Sequence, residues 1–259
     1  MKTVILIPAR YASTRYPGKP LVELKGSDGV SKPLIQRSWE TAQAVAGIAD
    51  VFVATDDDRI AARVLDFGGK VIMTSESCAN GTERCAEALA SLPEAPDLIV
   101  NLQGDAPLTP PWFLEDLIAA LSDRPDIAVA TPVLRCDAQT YVHFRADRAE
   151  GRVGGTTAVF ARDGRALYFS KEVVPYLPTG KEAEPLPVFH HVGVYAYRPS
   201  ALARYSGWTE GPLEANEGLE QLRFLENGEP ILCVEVDARG RLFWELNNPV
   251  DVARIEEVL

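Results

Sequence analysis

The chain is short of positive charge, poor in cysteine and without a long apolar run, and each shortage closes off a class of function. Of its 259 residues 26 are Lys or Arg and 37 are Asp or Glu, a formal net charge of −11 at pH 7. Such a chain repels a nucleic-acid backbone or an anionic membrane unless its cations are gathered in one place. The four cysteines, Cys78, Cys85, Cys136 and Cys233, form no C-x-x-C pair and have no His at a zinc-ligand spacing. They read as small core residues of a reducing compartment. The apolar run Val4-Ile5-Leu6-Ile7 ends at Pro8, too short for a signal-peptide core or a bilayer span. These shortages predict a soluble cytoplasmic protein with no nucleic-acid or membrane partner. Glycine and proline, 19 of each, stay well below the ~25–30% of low-complexity chains, and 46% hydrophobic with 24% charged content is globular.

What is present is an alternation of two periods. Residues 4–7 form a bare apolar run, the mark of a strand buried on both faces. Leu34, Ile35, Trp39, Ala42 and Val45 recur at helical spacing, and residues 51–54 form the next buried run. A helix over about 59–67, stopped by Gly68-Gly69, leads to a strand at 70–73, a helix over 82–92 and a strand at 98–102. This rhythm predicts an α/β fold with a mostly parallel sheet over residues 1–122.

Beyond residue 123 the rhythm changes. Residues 127–134 are strand-like, and 137–155 are polar without a clear period. Strands at 156–160 and 166–169 flank Arg162-Asp163-Gly164-Arg165, a hairpin turn with Asp-Gly at its centre. A proline-rich loop precedes an alternating strand over 188–197. Helices are expected over 214–227, ending at Gly228, and over 249–259. With no repeat and no Ser/Gly linker, the expectation is one domain over 1–259: an α/β part (1–122), an antiparallel elaboration (123–230) and a return to the core (231–259).

The most informative segment directly follows the first strand: Pro8-Ala9-Arg10-Tyr11-Ala12-Ser13-Thr14-Arg15-Tyr16-Pro17-Gly18-Lys19-Pro20. In α/β sheets ligands bind outside the carboxyl ends of strands. No acidic residue precedes Glu23, whereas Lys2, Arg10, Arg15 and Lys19 all do. Cations among small residues that admit backbone N–H groups suit a polyphosphate. Two familiar phosphate motifs fail. The loop has one glycine where a dinucleotide fingerprint needs three, and Ser13 and Pro20 break the Walker A pattern. Asp105, after the fourth strand, is placed either to ligate Mg²⁺ or to shape a turn before Pro107.

The pattern A-R-x-x-S-x-R-x-P-x-K resembles the signature of the cytidylyltransferases that activate acidic sugars, the CMP-Kdo synthetases above all, which couple CTP to 3-deoxy-manno-octulosonate (Kdo). The likeness extends through Ala54-Thr55-Asp56-Asp57, Gly81-Thr82-Glu83-Arg84, Asn101-Leu102-Gln103-Gly104-Asp105, Ala166-Leu167-Tyr168-Phe169-Ser170, His191-Val192-Gly193-Val194-Tyr195 and Leu219-Glu220-Gln221-Leu222-Arg223. It implies a Rossmann-like nucleotidyltransferase sheet of the GT-A type, with an inserted antiparallel subdomain for acceptor binding and homodimerisation. The implied reaction is attack of an acceptor hydroxyl on the α-phosphorus of CTP, with release of pyrophosphate.

Carried onto this chain, the resemblance makes Arg10, Arg15, Lys19 and Asp105 catalytic. Nucleotide binding falls to Pro8, Ala9, Arg10, Ser13, Arg15, Lys19, Thr55, Asp56, Asn80, Gly81, Thr82, Arg84 and Gln103. Lys171, His191, Tyr195, Glu220 and Gln221 take the acceptor, and Asp105 with Asn247 takes Mg²⁺. From the residues alone, His191 also reads as a satisfied strand histidine and Tyr195 as core, while Glu220 and Gln221 read as a solvated helix face.

Four positions depart from the pattern: Ala106 replaces a Glu, Thr156-Thr157 a Val-Lys, Lys171 an Arg, and Asn247-Asn248-Pro249 an Asp-Thr-Pro. All lie on the acceptor and second-metal side. They leave Kdo or a related 2-keto-3-deoxy sugar acid as the expected acceptor, with a small anion such as a phosphonate as the alternative. A non-catalytic CTP-binding homologue and a transferase using UTP or GTP with a sugar 1-phosphate are further readings.

Overall fold

The opening apolar run is the middle of a sheet. In the computed structural model, which describes residues 1–12, 16–153, 155–178, 185–241, 243, 245–246 and 248–259, all seven residues of β1 (Thr3–Ala9) are buried. Ile5 and Ile7 enter one core and Val4 and Leu6 the other, because successive side chains of a strand point to opposite faces. After β1 comes a hairpin of β2 (Glu23–Lys25) and β3 (Ser31–Pro33). Then α1 (Leu34–Gln43), β4 (Asp50–Thr55), α2 (Asp58–Asp66), β5 (Lys70–Met73), α3 (Gly81–Leu89), β6 (Leu98–Asn101) and α4 (Pro111–Asp123) alternate. The parallel order is β5-β4-β1-β6. Ile35, Ile60, Val64, Phe113 and Leu117 of α1, α2 and α4 pack on one face. Cys85 and Ala88 of α3 pack on the other.

The second half extends the same sheet. It contains β7 (Val129–Arg135), α5 (Ala138–Ala149), β8 (Thr157–Phe160), β9 (Ala166–Ser170), β10 (Phe189–His191), β11 (Tyr195–Tyr197), α6 (Pro199–Tyr205), α7 (Pro212–Glu217), α8 (Leu222–Glu226), β12 (Ile231–Glu235) and α9 (Asp251–Glu256). β11 joins β6 to β7 by antiparallel pairing, and β10, β8 and β9 follow. β12 lies parallel along the other edge of β7. The tip of the β8–β9 hairpin returns onto β12, where Cys233 N–H donates to the Gly164 carbonyl over 2.8 Å. The fold is therefore the expected α/β one, a parallel half continued by an antiparallel half.

Three expectations need correction. The strand over 188–197 is two strands, because the chain kinks at residues 192–194, where Val194 N–H donates to the Val192 carbonyl. β10 and β11 lie in succession along one edge of β7, one leading on to β8 and the other to β6. The sheet thus forks beside the carboxyl end of β6. The helix over 214–227 is likewise two helices, divided at Gly218 with φ 61°. The polar stretch 137–155 contains α5, which buries only Tyr141 and Phe144, in a satellite core with Cys136, Leu186 and Val188. Two inward residues in twelve leave little periodicity to read; the cap, Asp137 accepting from Thr140 N–H at 2.7 Å, was the legible signal.

Asp57 caps α2 by accepting from Arg59 N–H at 2.9 Å. Asp57→Ala is expected to cost about 1 kcal/mol and to lower the melting temperature by roughly 2–4 °C. An unchanged thermal melt would show that the cap contributes nothing.

Candidate active site

β1 and β6 are neighbours, so the loops leaving their carboxyl ends share one rim. The first loop is pinned at its base. Gly18 N–H donates to the Tyr11 carbonyl at 3.0 Å, and Gly18 holds φ 71°, which a side chain would strain. Pinning residue 11 to residue 18 brings the flanking cations Arg10 and Lys19 to the same opening. A short 3-10 turn, Lys19–Leu21, then aims Lys19 across the rim. Its Nζ stands 2.5 Å from Oδ2 of Asp105, an ion pair with both side chains mostly sheltered from water. Ser38 supports the second loop by donating from Oγ to the Gly104 carbonyl. Leu246 N–H donates to the Asp105 carbonyl, bringing a carboxyl-terminal segment to the same place.

A cleft of about 1730 Å³ opens from this pair toward the fork of the sheet. Pro8, Ala9, Arg10, Lys19, Asn80, Gly81, Arg84, Gln103, Asp105, Lys171, His191, Tyr195, Glu220 and Gln221 all line it, so most of the candidates meet in one space. Asn80 caps α3 through its Oδ1. Gly81 is pressed against the strand-end loops: a Cβ there would lie 2.7 Å from Gln103 Nε2 and 3.3 Å from Pro8 Cγ. Arg10 reaches the Ala79 carbonyl from the other side at 3.3 Å.

Thr55, Asp56 and Thr82 stand behind the wall rather than on it. Thr55 is fully buried and accepts from Asp57 N–H at 3.3 Å. Asp56 accepts from the buried Arg84 guanidinium at 3.2 Å. Thr82 shares a 2.8 Å hydrogen bond with Tyr197. Ser13, Arg15 and Asn247 lie outside the described residues.

At the His191 end of the cleft burial sets the protonation states. Burial pushes His191 down to about 3 and His190 to about 4, so both are neutral at ordinary pH. Thr131 Oγ lies 2.8 Å from the Val194 carbonyl and 2.9 Å from His191 Nε2. With its one proton given to that carbonyl, Thr131 accepts from Nε2–H. His191 therefore offers the cleft a neutral imidazole, not a cation. Tyr195 donates to Gln221 Oε1 at 3.1 Å, and Lys171 is anchored by its own N–H on Glu217. The Glu220 carboxylate receives Thr82 N–H at 3.3 Å, near the start of α3, yet burial pushes it up to about 7.

Sequence reasoning gave no role to Glu214 or Arg223, which also line the cleft as a buried ion pair with 2.6 and 2.7 Å contacts. Arg223 sits in a quoted motif, but its partner lies across the unforeseen break at Gly218. Among the described residues no group of three or more His, Cys, Asp or Glu is placed to hold a metal ion. No helix there is long and apolar enough to cross a membrane.

The chain matches the family described as "Cytidylyltransferase" over residues 4–231. It is 42% identical to a 3-deoxy-manno-octulosonate cytidylyltransferase of Maricaulis maris, over all of this chain and 97% of that protein. It is 41% identical to the enzyme of the same name from Chlamydia abortus, over all of this chain and 94% of the relative. A solved structure of CMP:2-keto-3-deoxy-manno-octonic acid synthetase complexed with CTP is 37% identical, with TM-score 0.84, covering 99% of this chain and 98% of the other.

Glu220 makes stability depend on pH. Folding raises its pKa from about 4.3 to about 7, so its contribution is intact below about pH 4 and is lost as pH rises through 7. Glu220→Gln cannot ionise. Its melting temperature relative to the parent is expected to be more favourable at pH 8 than at pH 5, and a pH-independent difference would refute the shift.

Proposed function

The chain belongs to the cytidylyltransferase family, and from that premise we propose that it transfers CMP from CTP to Kdo or a related 2-keto-3-deoxy sugar acid, releasing pyrophosphate. The observation that carries this reading is the Lys19–Asp105 pair at 2.5 Å, set in one cleft with Arg10, Gly81 and Gln103. Lys19 and Arg10 bind the triphosphate and neutralise charge on it. In phosphoryl transfer such positioning and neutralisation supply most of the rate. Gly81 and Gln103 border the base, where buried donors and acceptors that must be matched favour cytosine over other bases. Neutral His191 and Tyr195 orient acceptor hydroxyls without adding charge, and Lys171 faces the acceptor's carboxylate.

The donor chemistry fits Mg²⁺, an ion that needs only one or two carboxylates beside phosphate oxygens and water, and Asp105 would hold it. When bound, the ion supplies charge neutralisation at the phosphates and acidifies the attacking hydroxyl. A phosphonate acceptor is not favoured, since the full-length relatives are named for octulosonates. Of the departures, Thr157 is fully buried, donating to the Glu172 carbonyl and accepting from Val174 N–H, so its side chain braces a loop away from the cleft.

The test is pyrophosphate release from CTP and from UTP, with Kdo, other sugar acids and small phosphonates as acceptors. CTP with Kdo or a close relative is expected to turn over best, and turnover with phosphonates alone would overturn the acceptor. Asp105→Ala and Lys19→Met are each expected to lower kcat by roughly 100-fold or more, whereas wild-type rates would remove the pair from the mechanism.

We infer, too, that two copies pair through the antiparallel end. β9 closes one end of the sheet with Leu167 exposed, and Tyr176 nearby in sequence is 84% exposed. Sedimentation equilibrium is expected to give twice the chain mass. The free, buried state of all four cysteines supports a reducing, cytoplasmic compartment.

A further inference from the structure

We propose that Arg223 is a positioning residue that ties the turn carrying Glu220 and Gln221 to the N-terminal end of α3, so that the acceptor and nucleotide walls of the cleft are held as one unit. The proposal rests on the reading of the cleft given above and adds a residue to which that reading assigns no task. Arg223 is 6% exposed and its guanidinium is almost fully engaged. Nε and Nη2 donate to the two carboxylate oxygens of Glu214 on α7, at 2.6 and 2.7 Å. Nη1 donates to Glu83 Oε1 in the first turn of α3, at 2.9 Å. The guanidinium carbon lies 4.4 Å from the centre of the Tyr205 ring.

Each partner leads to a cleft wall. Glu83 also accepts from Ala79 N–H at 2.7 Å, and Asn80 Oδ1 receives Glu83 N–H at 2.8 Å, so the carboxylate steadies the turn presenting Asn80 and Gly81. The Tyr205 hydroxyl receives Asn80 Nδ2–H at 3.1 Å and donates to the Glu220 carbonyl at 3.2 Å. Arg223 packs on the ring of that bridging tyrosine. Its own N–H bonds to the Glu220 carbonyl, closing the turn from within. Glu214 binds the same guanidinium from across Gly218, fixing the angle between α7 and α8. A planar fork with five donors can hold these partners at once; a lysine, with one point charge, cannot.

The test compares Arg223→Lys and Glu83→Ala with the parent enzyme in steady-state pyrophosphate release, varying CTP and Kdo in turn, alongside thermal melts. Arg223→Lys keeps a charge beside buried Glu214 and is expected to fold. Its KM is expected to rise for both substrates, by roughly 10-fold to 100-fold, with a smaller change in kcat. Glu83→Ala cuts the tie to Arg223 together with the Ala79 N–H contact and leaves the Glu214 pair intact. It is expected to raise the KM for CTP by roughly 5-fold to 25-fold, the worth of one to two net hydrogen bonds, with a modest fall in melting temperature. If either variant melts lower while both KM values stay within about twofold of the parent, Arg223 is merely structural and the proposal fails. Parent-like KM values and melts in both variants also overturn it. A parent protein that releases no pyrophosphate from CTP with any acceptor overturns the functional reading itself, a different result from normal parent turnover with indifferent variants.

Discussion

The structure turns on an ion pair between two loops far apart in sequence, Lys19 after β1 and Asp105 after β6. Parallel pairing of those strands places both loops at one rim. The pinned base formed by Tyr11 and Gly18 gives Lys19 its direction. A cation and a carboxylate this close hold the two loops in register with each other.

Around this pair the cleft is built by exclusion as much as by attraction. Gly81 is bare because Gln103 and Pro8 occupy the space a side chain would take. Burial keeps His191 uncharged and pushes Glu220 toward neutrality, so the wall that they line is less charged than its sequence suggests. The fork between β10 and β11 supplies the opening. A continuous strand would have carried hydrogen bonds straight through the place where His191, Gly193 and Tyr195 now face the cleft.

The parallel half was legible because its inner strands are buried on both faces and its helices carry one apolar stripe; both leave clear signals, as the apolar runs at 4–7 and 51–54 illustrate. The antiparallel half was harder to read. In α5 only Tyr141 and Phe144 turn inward, and the break at residues 192–194 depends on Thr131, whose hydroxyl lies within hydrogen-bonding distance of both the Val192 and Val194 carbonyls. The site was legible as a list and illegible as an arrangement. Lys19, Asp105, Gln103 and Gly81 stood in motifs, but nothing local showed that Thr55 and Thr82 lie behind the wall or that Arg223 grips Glu83.

By itself the sequence determined the α/β class and the cationic turn after the first strand, and its motifs carried the resemblance to the cytidylyltransferases. The first two are short-range properties, written in the spacing of apolar residues and in the charge of one loop. Only the tertiary structure decided which of those residues face the cleft, which histidine stays neutral and which carboxylate pairs with which cation. Burial and pairing join residues more than a hundred positions apart, as Arg223 and Glu83 are, and the free energy of a charge depends on where the fold leaves it relative to water.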